Sequence, residues 1–212
     1  MILSKSYKLD YLNGSKVLKL NSSFYLDQNV VMIAQKLLGK IVYTFVDDKI
    51  TAGRIVETEA YSWKEQGCHA FRGKTNRNAV MFNQGGVAYV YLCYGIHHLF
   101  NIVTNREGIA DAVLIRALEP LVGIQTMQDR RGKLFDKYQL TSGPGKLSKA
   151  LGIDRNLNGK SLQLNEVWIE EDGELIPHIR NIASKRIGID YAGEDAKLLW
   201  RFTVEGSLWL SV

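Results

Sequence analysis

The sequence predicts an α+β fold: a single domain on a largely antiparallel sheet. Three observations carry this. The β-rich runs come in pairs joined by short turns, the helical stretches do not alternate with them, and no proline-rich linker or composition break divides the chain. With 212 residues, 46% hydrophobic and 23% charged, the chain can bury a core without a metal or disulfide staple.

In chain order, residues 1–20 read as an extension, broken by Lys5, Lys8, Asp10, Lys16 and Lys19, with no continuous apolar stretch for a signal peptide or a membrane span. The domain then occupies residues 21–212. Val30, Ile33, Ala34, Leu37 and Leu38 share one helical face, with Asp27 or Asn29 as N-cap and Gly39 at the C-terminus. Residues 40–46 and 50–61 read as a hairpin around Asp47-Asp48-Lys49. Residues 87–94 and 99–105 read as a second hairpin around Gly95-Ile96-His97-His98, and residues 112–117 as a further strand. Pro120 is expected in the first turn of a helix reaching about Arg130. Gly143-Pro144-Gly145 leads into a short helix over 146–151, and residues 167–170 and 200–204 are late strands.

The net charge of +5 is mild, but it is localised. Between Gln66 and Arg106 there is no Asp or Glu, where 22 acidic residues in 212 would place about four. That stretch holds Arg72, Lys74, Arg77 and Arg106, interleaved with Phe71, Phe82, Tyr89, Tyr91, Tyr94 and Phe100. A second stretch, Arg130 to Lys149, carries six Lys or Arg against Asp136 alone. Cations for phosphates and rings for bases suit a nucleic-acid surface, while a solvated basic face over core aromatics fits the same pattern.

Four motifs bear on chemistry. In Arg54-Ile55-Val56-Glu57-Thr58-Glu59-Ala60-Tyr61, strand alternation places Ile55, Glu57, Glu59 and Tyr61 on one face. If that face is covered, each carboxylate needs a partner or a raised pKa, the latter suiting a general base; an edge strand with its polar face in water is the alternative. Arg116, inside the apolar run Val113 to Leu118, calls for a carboxylate, with Glu57, Glu59 and Glu119 as candidates. Tyr94, beside a hairpin turn, could project as a wedge for a base step or pack across strands. Gly143 to Lys146 could bind an anion at a helix N-terminus. Two cysteines, Cys68 and Cys93, fit a reducing compartment. With His69, His97 and His98 they match no zinc signature, and no GxGxxG, P-loop or GxSxG occurs, so no metal and no cofactor is expected.

The run Gly53 to Tyr61 resembles the characteristic strand of the alkyladenine (3-methyladenine) DNA glycosylase family. The resemblance continues through His69-Ala70, Arg77-Asn78, Met81-Phe82, Tyr89 to Gly95, Asn101 to Val103, Leu114 to Pro120 and Ser142 to Leu147, then Arg186 to Glu194 and Trp200 to Phe202. It spans residues 21–212, and the segments Ser62 to Cys68 and Asn83 to Gly86 depart from the usual turns. The resemblance implies a curved, mainly antiparallel sheet with flanking helices and a protruding β-hairpin. It implies a monofunctional base-excision repair enzyme of a bacterial cytoplasm. Such an enzyme acts as a monomer, without a required protein partner. It flips alkylated or deaminated purines from duplex DNA and hydrolyses the N-glycosidic bond, leaving an abasic site. By matched position, Glu59 resembles the general base and Arg116 the residue that holds Glu59 and the water in place. Tyr61, His69 and Tyr91 correspond to the walls around the flipped base, Asn101 to the pocket residue that crowds a guanine amino group, and Tyr94 to the intercalating side chain. His69 would also supply a donor to a neutral lesion such as hypoxanthine. Gly143 and Lys146 then read as backbone-phosphate contacts, while Arg72, Lys74 and Arg77 do so on electrostatic grounds alone.

Overall fold

The longest strand organises the rest. The computed structural model describes residues 19–132, 136–171 and 180–211. Within them β1 (Ile41–Val46) and β2 (Lys49–Tyr61) form the first hairpin, with β3 (Ala88–Cys93) and β4 (His97–Thr104) the second. β5 (Asp111–Val122), β6 (Val167–Glu170), β7 (Asn181–Ser184) and β8 (Arg201–Val204) complete one antiparallel sheet in the order β3-β4-β5-β2-β1-β6. Strand β2 pairs with β5 on one edge. On the other it pairs with β1 along its first half and with β8 at Glu57 to Glu59, so it is central and the edge-strand alternative fails.

Helix α1 (Val30–Leu37) forms as its spacing predicts. Of the two candidate caps Asn29 is used, its side chain accepting from the Met32 amide at 3.0 Å. Its apolar face, with Ile33, Ala34 and Leu37 buried, covers β2 and β5 through Ile55, Ala60, Val113, Ile115 and Leu118. Burial of each such aliphatic side chain contributes roughly 1.5–3 kcal/mol. The buried Thr58 hydroxyl donates to the Ala34 carbonyl at 2.9 Å, which fixes the helix on the strand. Helices α2 (Ile124–Arg131) and α3 (Pro144–Leu151) follow β5, and Leu147 and Leu151 of α3 join the same core. The opposite face carries a smaller cluster around Met81, Tyr89, Val103 and Ala112.

Four expectations need correction. Pro120 lies inside β5, opposite Gly53, not in a helix. β4 pairs with β5 only from Asp111 to Leu114, so at Pro120 that edge of β5 needs no ladder donor, and a proline fits. The second hairpin turns at Tyr94-Gly95-Ile96, with His97 and His98 already in β4. Helix α3 begins at Pro144, two residues before the expected start, because proline is pre-set for a first helical turn. Finally, Ile55 does not share the face of Glu57, Glu59 and Tyr61. The β2–β5 register slips between Ile55 and Glu57 and again between Glu57 and Thr58, so Val56 on β2 and Arg116 on β5 are the unpaired residues of facing bulges. The bulges return Ile55 and Leu118 to the core and leave Glu57, Glu59, Tyr61 and Arg116 on the other side. Of the N-terminal extension, residues 1–18 lie outside the described residues; Lys19 bridges to Glu170 and Leu20 is buried in the core.

Candidate active site

The two carboxylates of β2 are both fully buried, yet they are held differently. Glu57 receives four donors. The Arg116 Nε (3.1 Å), the Arg201 Nε (2.6 Å) and the Ser211 hydroxyl (2.8 Å) donate to Oε1, and the Ser211 amide (2.7 Å) donates to Oε2. Glu59 receives three: the Ile187 amide on Oε1 (2.8 Å), and the Tyr61 hydroxyl (2.8 Å) and Arg116 Nη1 (3.2 Å) on Oε2. With about two acceptor positions on each oxygen, three donors crowd Glu57 Oε1, while the Ser211 amide on Glu57 Oε2 and the Ile187 amide on Glu59 Oε1 each leave one position open. Arg116 thus sits between two of the three candidates named from the sequence. Glu119 instead pairs with Arg54 at 2.7 Å. Burial without a partner would be severely destabilising for any of these charges, and each is matched.

Above this pair lies a cavity of about 780 Å³. Glu59 is beneath its lining rather than on it, but its three donors, Tyr61, Arg116 and Ile187, all line it. His69, Tyr91, Asn101, Tyr94, Arg77, Gly143 and Lys146 line it as well. Register explains why: Tyr89 and Tyr91 share a face of β3, opposite Asn101 and Leu99 of β4. The His69 ring meets Tyr91 edge-on at 4.5 Å, and its Nδ1 lies 3.0 Å from the Tyr89 hydroxyl. Asn101 donates its amide to the Tyr89 carbonyl at 3.2 Å, which fixes its orientation.

The phenols stay protonated near neutrality. Burial, then the Glu59 charge, pushes Tyr61 well above its ordinary value, and burial pushes Tyr89 up to about 12 and Tyr91 higher still. For His69, burial first and the Arg77 cation second lower the pKa, so the imidazole is neutral at pH 7. It can therefore present an N–H to a neutral base, but it is not held as an imidazolium.

Tyr94 stands at the tip of the hairpin, 90% exposed, beside Ile96 at 73%. Its φ is +50° and that of Gly95 +71°, with the Ile96 amide donating to the Cys93 carbonyl at 3.1 Å, as in a type I′ turn. A bulky residue in that conformation is strained, an observation that points to function. The hairpin is also tied to α3. Gly145 lies so close to His97 that a Cβ there would come within 2.8 Å of the imidazole. The N-terminus of α3 has no side-chain cap, and its first residues, with Lys146, open on the cavity. Arg72 and Lys74 are exposed and do not line the cavity.

Sequence reasoning missed two supports. Arg186 is buried against Glu65 in a bidentate pair (2.6 and 2.9 Å), donates to the Ala60 carbonyl and lies 4.7 Å from the centre of the Tyr61 ring. Ser211 joins Glu57 to Arg116. The partners named lie 95 or more residues away in sequence, and no local pattern announces them.

A family model described as methylpurine-DNA glycosylase matches residues 23–208. The chain belongs to the methylpurine-DNA glycosylase family. Relatives named as 3-methyladenine DNA glycosylase are similar to it over nearly their full lengths. One from Chlorobaculum tepidum is 46% identical across 91% of this chain and 90% of its own. One from Natranaerobius thermophilus is 40% identical across 92% of this chain and all of its own. One from the archaeal strain Methanocella arvoryzae is 46% identical across 84% and 88%. Membership of the methylpurine-DNA glycosylase family makes the protein a DNA repair enzyme acting on alkylated bases, with damaged DNA as substrate. No helix among the described residues is long and apolar enough to cross a membrane.

Proposed function

We propose that this glycosylase extrudes an alkylated or deaminated purine from duplex DNA into the aromatic cavity and hydrolyses its N-glycosidic bond with a water held by Glu59 and Arg116. The observation that carries the reading is the unequal treatment of the two buried carboxylates. Glu57 Oε1 is crowded by three donors, one of them Arg201 away from the cavity, whereas Glu59 Oε1 takes one donor and all three donors of Glu59 line the cavity. Water oxygen attacks C1′ of the extruded nucleotide as the C1′–N bond breaks. The bonding electron pair leaves with the base, and the water proton passes to Glu59. The negative charge of Glu59 also stabilises the positive charge developing on the sugar. A cationic base such as 3-methyladenine leaves as a neutral molecule and needs no acid.

The energetics are balanced. Extrusion costs a few kcal/mol, least for a poorly paired base. Stacking on Tyr61, Tyr91 and His69 returns about 1–3 kcal/mol per base, and a cationic base gains roughly 0.5–2 kcal/mol more over each electron-rich ring. Tyr94, with Ile96 beside it, fills the vacated space. Gly143 and Lys146 at the start of α3, with Arg77, receive the backbone phosphates; Arg72 and Lys74 supply more distant attraction. Asn101, fixed by its bond to Tyr89, crowds a purine 2-amino group. In this scheme the enzyme acts as a monomer without a required protein partner. Because water is the nucleophile, the product is an intact abasic strand.

The test is single-turnover base release from labelled duplexes carrying hypoxanthine or ethenoadenine, and from methylated DNA, by the wild type and Glu59→Gln. Release by the wild type alone, with strand scission only after alkali, supports the whole scheme. Scission without alkali, with a borohydride-trapped adduct, would overturn the water mechanism. Tight binding with no release on any substrate would favour a damage-binding protein.

A further inference from the structure

We infer that Ser211 is a positioning residue for base release: it locks the Arg116 guanidinium, through Glu57, in the orientation that serves Glu59. This deepens the proposed function and rests on its assignment of Glu59 and Arg116.

A guanidinium has five N–H groups in one plane. The bonds at Nε and Nη1 tie Arg116 to Glu57 and Glu59, at 3.1 and 3.2 Å, and neither carboxylate bonds Nη2. The Ser211 hydroxyl supplies the third point. It accepts from Arg116 Nε at 3.4 Å and Nη2 at 3.3 Å and donates its own proton to Glu57 Oε1 at 2.8 Å. The Ser211 amide, at 2.7 Å from Glu57 Oε2, holds the carboxylate from its other side. The hydroxyl is therefore a relay with its single proton committed to Glu57 and its lone pairs turned to Arg116. Ser211 is 9% exposed and sits at the floor of the cavity, so the final described segment of the chain closes the site from below. With Nε and Nη2 both engaged, the guanidinium plane is set, and Arg116 is presented in that orientation to the cavity it lines.

Three variants test this: Ser211→Ala, Ser211→Thr and Glu59→Gln, each measured for single-turnover base release, affinity for a damaged duplex and melting temperature. Loss of a supporting hydroxyl at a reacting centre is expected to slow base release about 10-fold in Ser211→Ala, with affinity unchanged within about twofold. Ser211→Thr, which keeps the hydroxyl, is expected to recover most of the rate. A folded Ser211→Ala with wild-type rate would overturn the inference. So would a rate loss matched by an equal loss of affinity and not rescued by threonine, which is the pattern of a merely structural residue. Glu59→Gln separates the two levels. If it is inactive while Ser211→Ala is fully active, only the role of Ser211 fails. If it retains wild-type activity, the assignment of Glu59 fails and this inference falls with it.

Discussion

At the crossing of β2 and β5 every charged group is matched, whereas at the tip of the β3–β4 hairpin Tyr94 stands almost bare on a left-handed turn. The first region is over-determined. Arg116 is held by two carboxylates and a hydroxyl drawn from β2 and the segment that follows β8, so its position belongs to the fold itself. The second is less determined: below the tip His97 packs on Gly145 of α3, but at the tip Tyr94 and Ile96 rest on their turn and are mostly exposed. The proposed scheme puts chemistry that needs sub-ångström placement in the first and contact with a deformable partner in the second. The contrast predicts opposite signatures on mutation. Changes at the crossing reduce stability and activity together, and changes at the tip reduce activity alone.

The largest effect is expected from Glu59→Gln, which removes the base without changing shape. Single-turnover base release should fall by about 10³-fold, within the range of general-base catalysis, while affinity for damaged DNA persists. Next is Arg116→Ala. It leaves Glu57 and Glu59 buried with fewer counter-charges and should destabilise the fold by about 3–5 kcal/mol, as read by chemical denaturation. A stable Arg116→Ala would show that the crossing is less tightly determined than its geometry indicates. Tyr94→Asn breaks the pattern in the other direction. Asparagine tolerates the positive φ, so the variant should gain up to about 1 kcal/mol of stability and yet slow base release from a well-paired lesion. A loss of both would mean that the tip is structural.

Smaller effects sharpen the picture. Lys146→Ala should weaken binding to damaged and undamaged duplexes alike and reduce the slope of log K against log salt by about one. His69→Ala should lower release of hypoxanthine more than of 3-methyladenine, because only the neutral base needs a donor; equal losses would remove that role. The pH dependence of His69 has a definite sign. Its folded pKa lies below the unfolded value of about 6.5, through burial and then Arg77. As pH falls below that value the unfolded chain takes a proton that the folded chain refuses. Stability is therefore complete above the unfolded value and declines as pH falls toward the lower folded one, and His69→Gln should flatten the decline in melting temperature between them.

Much of this was legible in sequence because it rests on local signals. The apolar spacing of α1, the two hairpins and the antiparallel class follow from periodicity and turn chemistry, and Glu59, Arg116, Tyr61 and Tyr91 stand out as polar or aromatic residues within β-rich runs. What escaped depends on pairing between distant strands. Strict alternation put Ile55 beside Glu57, and only the facing bulges at Val56 and Arg116, set by register with β5, undo it. Pro120 looked like a helix start because its tolerance in β5 comes from an edge that β4 leaves free. Arg186 and Ser211 carry no local mark at all; their meaning lies in what the chain folds back upon.

The close approach of Gly145 to His97 has a consequence for how damage is found. The start of α3, which the proposed scheme sets against phosphates, and the hairpin to which it gives the wedge meet without room for a methyl group between them, so neither can move toward the other. In that scheme they form a calliper of fixed minimum gauge, one jaw for the backbone and the other for the base stack. Intact B-form DNA must yield to fit that gauge. A lesion that already loosens its stack fits with less distortion, so a rigid gap can sort duplexes before any base reaches the pocket.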